Sequence, residues 1–76
     1  MFDYSKLRGK IIEKYGSQSN FAKKMKLSER TISLKMSGKV EWKQSEICNA
    51  VTLLELKDED ICPYFFTLKV KNIELS

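Results

Sequence analysis

Apolar residues recur at helical spacing along most of the chain, and the first clear stripe lies near its start. Leu7, Ile11 and Tyr15 are each four residues apart, which predicts the buried face of a helix over about residues 5–15. Gly16 follows directly and is a typical helix stop, because glycine readily adopts a positive φ. The pattern therefore predicts a first helix of about three turns.

Two short amphipathic runs come next, and only about three residues, KLS, separate them. Helix two is predicted over about residues 18–25 with Ser17 as its N-cap, and helix three over about residues 28–37 with Ser28 as its N-cap. A connection this short makes the two helices cross steeply. Ala22 is small enough to allow a close contact, so helix three is expected to keep one face outside the core.

A fourth helix is predicted over about residues 44–54, where Ile47 and Val51 share a face with other apolar side chains. A short helical segment is expected around residues 59–66. Pro63 makes that segment brief or irregular, because proline is tolerated mainly in the first turn of a helix.

The closing segment TLKVKNIELS alternates at Leu68 and Val70, which suggests a strand. A chain of 76 residues favours a single domain. We expect an all-α, five-helix domain over residues 1–66. A strand-like tail over residues 67–76 is expected to follow it and to be available for dimerisation.

Charge is unevenly distributed along the chain, whose net charge is +4. Residues 1–43 hold eleven Lys/Arg and four Asp/Glu, a net charge of +7, whereas residues 44–76 have a net charge of −3. A basic half indicates binding to a polyanion. A lysine-rich solvated surface is the ordinary alternative and fits the net charge equally well.

Several classes of function are disfavoured by what the sequence lacks. It has no run of about 18 apolar residues and no secretion signal, so we expect a cytoplasmic protein without a membrane span. Cys48 and Cys62 fall in apolar patterns and are interpreted as small core residues. Histidine is absent and two thiols alone do not make a usual zinc site, so no metal site is expected. No ligand domain is recognisable, and we expect neither a cofactor nor a small-molecule ligand. With no glycine-rich phosphate loop either, we do not expect an enzyme.

The stretch SQSNFAKKMKLSERTISLKMSG, residues 17–38, resembles the helix-turn-helix of the phage Cro and repressor family, the lambda-repressor-like or XRE class. The run EIxxAVxLL at residues 46–54 is similar to the fourth helix of that family, and the YFF at residues 64–66 resembles small Cro-like proteins of phages from Gram-positive hosts. The matching residues of the first stretch are Gln18, Phe21, Ala22, Met25, Leu27, Ser28, Ile32 and Gly38.

The chain departs from the family pattern at two positions. The family often has glycine at the turn position of Lys26, where a left-handed lysine costs about 1–2 kcal/mol. Many relatives carry a glutamate at the position of Met36, paired with an arginine of helix one. Here Met36 is expected to pack against the region of Ile11 instead, and neither departure changes the expected fold.

The resemblance implies that helix three enters the DNA major groove and reads bases with its exposed start. Arg30 suits guanine O6 and N7, and Glu29 suits the amino group of cytosine. Leu34 suits a thymine methyl group, although a lone exposed leucine is ordinary in any protein. The predicted base contacts are Glu29, Arg30, Thr31, Ser33 and Leu34.

Phosphate contacts are expected from the start of helix two and from the end of helix three. Gln18 lies where backbone N–H groups favour an anion, and the resemblance implies that it contacts a phosphate. The predicted set is Ser17, Gln18, Asn20, Lys35, Lys39 and Lys43. For each lysine taken singly, a solvated charge without a partner fits the sequence equally well.

High affinity for an operator usually requires two copies on two half-sites, so a homodimer on double-stranded DNA is predicted. Its surface is expected to include Phe65, Phe66, Leu68 and Val70, with two tails pairing as antiparallel strands. The alternative is a frayed tail, with Phe65 in the core and Phe66 against the surface.

The sequence thus predicts a sequence-specific DNA-binding transcriptional regulator, a phage or prophage repressor of the Cro kind that occludes a promoter in a bacterial host. The alternative is a protein-interaction module, such as an anti-repressor or an adaptor, with the same fold. The basic first half favours the DNA-binding hypothesis.

Overall fold

The computed structural model describes residues 2–68, which form five α-helices and one 3₁₀ turn. This confirms the predicted all-α, five-helix fold. Within these residues, no helix is long and apolar enough to cross a membrane. The elements in chain order are α1 (Ser5–Tyr15), α2 (Gln18–Met25), α3 (Glu29–Met36), α4 (Gln44–Leu53), the 3₁₀ turn (Asp58–Asp60) and α5 (Ile61–Phe65).

Helices α2 and α3 begin at the two predicted serine caps. The Ser17 hydroxyl accepts a hydrogen bond from the Asn20 amide at 3.1 Å, and the Ser28 hydroxyl accepts one from the Thr31 amide at 3.0 Å. Each cap satisfies one of the amide groups that a helix start leaves without an intrahelical acceptor. The two caps therefore fix where α2 and α3 begin.

The turn between α2 and α3 depends on a left-handed residue at position 26. Lys26 has φ 61°, and its amide donates to the carbonyl groups of Ala22 and Lys23. A lysine thus takes the conformation that glycine adopts without strain. The departure of Lys26 from the family pattern leaves the tight turn intact, as predicted.

The core lies between α1, α2 and α3, with α4 and α5 completing it. Met36 is buried as predicted, and Leu27 packs against the core from the turn. Ala50 is fully buried on α4, a helix that contacts α2. The largest fully buried side chains are Phe21, Phe65, Leu7, Ile11, Ile32 and Leu54.

The interpretation of the two cysteines as core residues is wrong, because Cys48 and Cys62 are both exposed free thiols. The buried face of α4 centres on Ala50 and Leu54, which turns Cys48 towards solvent. Cys62 belongs to α5, a helix of five residues that buries Phe65.

The two ends of the described chain lie side by side. Phe2 and Leu68 form an isolated antiparallel bridge, and the Asp3 amide donates to the Thr67 carbonyl at 2.7 Å. Between residues 2 and 68 this bridge is the only extended pairing. The predicted strand beyond it, including Val70, lies outside the described residues.

Candidate functional site

The start of α3 is exposed, as base contact would require. Glu29, Arg30 and Ser33 are exposed, whereas Thr31 and Leu34 are half-buried. Glu29 and Arg30 are neighbours of opposite charge, so the formal charges at this end of the helix cancel. Contact of these side chains with DNA bases stays a prediction.

The Thr31 hydroxyl already has a structural partner. It accepts a hydrogen bond from the Ser28 hydroxyl at 2.8 Å, beside the Ser28–Thr31 cap. Thr31 therefore stabilises the first turn of α3. Any base contact through its hydroxyl would compete with this hydrogen bond.

The predicted phosphate contacts at the start of α2 are likewise partly engaged within the protein. Ser17 is the helix cap, and the Asn20 side-chain amide donates to the Tyr15 carbonyl at 2.9 Å. These bonds join the end of α1 to the start of α2. Gln18 is half-buried at the first position of α2.

Lys35 is buried inside the fold, so its prediction as a phosphate contact is wrong. It is 2% exposed, and its ammonium group lies 2.7 Å from Glu46 Oε1 and 3.0 Å from the Glu41 carbonyl oxygen, to which it donates. The same ammonium is 6.0 Å from the centre of the Trp42 ring. Lys35 therefore ties α3 to the loop that leads into α4.

Glu46 is the acidic partner in this buried ion pair. Burial alone would raise the pKa of its carboxyl group, but hydrogen bonds from the Lys35 ammonium and the Lys43 amide, the latter at 2.8 Å, lower the pKa below its ordinary value. The carboxylate thus also caps the start of α4. The Lys39 and Lys43 side chains remain exposed and keep their predicted access to a polyanion.

An apolar groove lies beside the loop between α3 and α4, and sequence reasoning did not find it. We call it the aromatic groove; it is open and has a volume of about 540 Å³. Phe2, Val40 and Phe66 line it and are 37%, 39% and 44% exposed, so three large apolar side chains face solvent in one place. Its lining includes Phe2, Tyr4, Val40, Glu41, Trp42, Phe65 and Phe66.

Aromatic edge contacts hold the walls of the aromatic groove. The Trp42 ring is 5.3 Å from Phe65 and 6.4 Å from Tyr4, and the Phe2 ring is 5.5 Å from Phe66. The Trp42 indole nitrogen is buried and has no hydrogen-bond partner between residues 2 and 68. The YFF run and the tryptophan in the loop were the available sequence signals, but their convergence depends on the loop conformation.

The predicted dimer surface is only partly available. Phe65 is 1% exposed and belongs to the core, so its assignment as a dimer contact is wrong. The alternative correctly placed Phe65 in the core, whereas the tail that it described as frayed lies outside the described residues. Phe66 and Leu68 are exposed, and the homodimer itself stays a prediction.

Comparison with known proteins defines the class to which this five-helix domain belongs. The chain belongs to the family described as "Protein of unknown function (DUF739)", whose model matches residues 1–68. The chain is also similar to a particular solved protein, the modulator of repression (MOR) of the temperate bacteriophage TP901-1 from Lactococcus lactis, determined in solution. The two chains are 58% identical with a TM-score of 0.78, over 92% of this chain and 95% of that chain. No curated protein matches the chain.

These findings overturn the resemblance to the Cro and repressor family. The matching family is DUF739, and the similar solved protein is a modulator of repression, not a Cro-like repressor. The misleading residues, such as Ala22, Leu27 and Ile32, are core and turn residues. They determine how α2 and α3 pack, and they do not specify what the exposed side of α3 binds.

Proposed function

We propose that this chain regulates repression in a phage, and that it acts by contacting another protein of the repression system. The main observation is its 58% identity, over nearly the whole chain, to a protein named as a modulator of repression. A modulator acts on repression that another molecule carries out, which favours an accessory role such as an anti-repressor or an adaptor.

The surface chemistry supports contact with a protein. Lys35 is buried and paired with Glu46, so the surface has one fewer lysine that could contact a phosphate than the sequence suggested. The aromatic groove exposes several large apolar side chains together. Aromatic residues are enriched at protein interfaces, where they provide large buried area with little loss of side-chain entropy.

Double-stranded DNA is the second candidate partner, and it rests on a separate observation. Arg30 and Ser33 are exposed in the first turns of α3, with Lys39 and Lys43 exposed beyond its end. If α2 and α3 act as a helix-turn-helix, α3 would enter the major groove and Arg30 would contact guanine. Two copies on an operator would then provide the affinity. Either mechanism would operate in the cytoplasm of the bacterial host.

A titration with the operator of the same phage and its purified repressor separates the two mechanisms. We expect this chain to change the affinity of the repressor for a fluorescent operator duplex, and to show no saturable binding to that duplex alone. Direct DNA binding would instead be saturable and lose about 10³–10⁵ in affinity between 50 and 200 mM salt, for 6–10 phosphate contacts.

Two variants make this titration sharper. Arg30→Ala should remove operator preference if α3 reads bases, whereas Lys57→Ala, an exposed lysine in the acidic part of the chain, serves as the control. Saturable binding to the duplex alone that depends on Arg30 would favour the DNA mechanism. A chain that neither binds the duplex nor alters repressor binding would refute the proposed function.

A further inference from the structure

We propose that the aromatic groove docks an amphipathic segment of a protein partner, in which an apolar anchor residue lies next to a lysine or arginine. This inference rests on the proposed function, because it assigns the protein contact to one site and names the chemistry of its partner. Three properties of the groove support it: its shape, its rigidity and its single charge.

The shape suits an apolar side chain. A volume of about 540 Å³ lies within the range of about 300–1,000 Å³ that is usual for binding pockets. Phe2, Val40 and Phe66 are partly exposed along the groove, and an anchor placed among them would remove apolar surface from water. An aromatic or aliphatic anchor in such a pocket is the usual centre of a protein interface.

The groove is held in place before any partner binds. Phe65 is fully buried and packs edge-on against Trp42, which also contacts Tyr4. Lys35 fixes the same loop from inside through its hydrogen bond to the Glu41 carbonyl. A preorganised wall lowers the entropy that binding must overcome.

Charge determines which amphipathic segment fits. Glu41 is the charged residue among those lining the groove, and its side chain is exposed. Its carboxylate forms no hydrogen bond or ion pair within residues 2–68, yet it is close enough to Tyr4 to help burial raise the pKa of the phenol. Lys39 and Lys43 lie on the same loop but do not line the groove, so within the groove a cation beside the apolar anchor would pair with the Glu41 carboxylate, whereas an acidic segment would lack this partner.

Trp42 is the only tryptophan in the chain, so its fluorescence reports occupancy of the groove directly. The probe is a synthetic helical peptide with a leucine and phenylalanine stripe flanked by lysines. One matched peptide carries glutamate in place of each lysine, and another carries serine in place of the stripe. We expect a saturable change in Trp42 emission with the lysine peptide, and binding at least about fivefold weaker with either matched peptide.

Variants of the protein test the site itself. Phe66→Ser should weaken binding of the lysine peptide at least about fivefold, and Glu41→Gln about twofold to fivefold. Ile12→Ser is the control, because Ile12 is 47% exposed but lies on α1 and does not line the groove. Circular dichroism verifies that each variant remains folded.

Three results would overturn the groove as the docking site: no Trp42 response at millimolar peptide, equal binding of the glutamate peptide, or an Ile12→Ser effect as large as that of Phe66→Ser. The repressor titration separates this proposal from the proposed function. Groove variants that lose the peptide but still alter repressor binding would leave the function standing and refute the site. Peptide binding in the groove without any effect of the chain on the repressor would leave the docking site standing and refute the proposed function.

Discussion

Lys35 lies three residues after Ile32 and one before Met36, on the stripe of α3 that faces the core. Its flexible stem allows the ammonium to reach Glu46 and the Glu41 carbonyl beneath the loop. A lysine on a predicted DNA-facing helix is therefore part of the internal support of the loop. The burial of Lys35 could have been predicted from its position on the helix, but its partners could not.

Replacing Lys35 by methionine keeps most of its bulk and removes its charge. We expect Lys35→Met to lower the free energy of unfolding by about 1–3 kcal/mol, because the Glu46 carboxylate and the Glu41 carbonyl lose their donor. Urea denaturation measures this change. Lys39→Met, at an exposed position, should stay within about 0.5 kcal/mol of the parent protein.

A double variant separates lost pairing from lost packing. Adding Glu46→Gln to Lys35→Met removes the unpaired buried charge, so part of the lost stability should return. A single Lys35→Met variant as stable as the parent protein would contradict the structural role of the ion pair.

Lys26 offers a simple test of backbone strain. Its φ of 61° is costly for a side chain with a Cβ atom, by about 1–2 kcal/mol. Glycine loses about 0.5–1 kcal/mol more than alanine in chain entropy on folding, so Lys26→Gly should stabilise the protein by about 0.5–1 kcal/mol.

Thermal and urea unfolding would measure the effect of Lys26→Gly. The matched variant Lys23→Gly changes another exposed lysine, inside α2, and should destabilise by about 1 kcal/mol. If both glycine variants shift stability in the same direction, the strain argument fails.

At the scale of elements, α3 is fastened at both ends. The Ser28 cap and the Thr31 hydroxyl hold its first turn. At its other end, the Leu34 carbonyl accepts hydrogen bonds from the Lys39 amide at 3.0 Å and the Val40 amide at 3.3 Å. The exposed start of α3 and the groove-lining loop are thus set by the two ends of one helix.

Removing the cap should loosen the exposed start of α3. Ser28→Ala leaves the Thr31 amide and hydroxyl without their partner, and we expect a loss of about 1 kcal/mol. Hydrogen exchange at the first amides of α3 should accelerate. Ser33→Ala, an exposed position in the same helix, is the control, and an equal loss there would argue against the cap.

The helices that could be predicted from sequence are those with strong local signals. Ser17 and Ser28 are the N-caps of α2 and α3, and Gly16 ends α1 with φ 82°. The α4 face was harder, because the small Ala50 turned out to be central to it. The Lys35–Glu46 pair and the aromatic groove could not be predicted, because both depend on the conformation of the loop between α3 and α4. No local sequence pattern determines that conformation.

At the scale of the whole molecule, the arrangement of α2 and α3 was more predictable than its use. The apolar pattern specified the packing of the two helices, which many proteins with different partners share. The choice of partner depends on the exposed surface, which includes the opposite charges of Glu29 and Arg30 and the aromatic groove but not the buried Lys35. These features depend on tertiary contacts.

Acid should destabilise the fold through the pair that joins α3 to α4. The folded pKa of Glu46 is lowered from its ordinary 4.5, so its contribution is present above that value and is lost as the pH falls through the folded pKa. The free energy of unfolding, measured between about pH 6 and pH 3, should therefore fall less steeply for Glu46→Gln than for the parent protein. Equal slopes would show that Glu46 carries no linked protonation.

The pairing of Phe2 with Leu68 also matters to anyone who handles this protein. A tag fused to the start of the chain would be joined within two residues of the groove, because Phe2 is part of its wall. An affinity tag at this position would obstruct the opening of the groove or bind inside it. In either case the measured affinity of a partner for the groove would be too low. Cys48 on α4 has an exposed thiol and does not itself line the groove, so in a Cys62→Ser variant it offers an alternative place for a dye or a surface linkage.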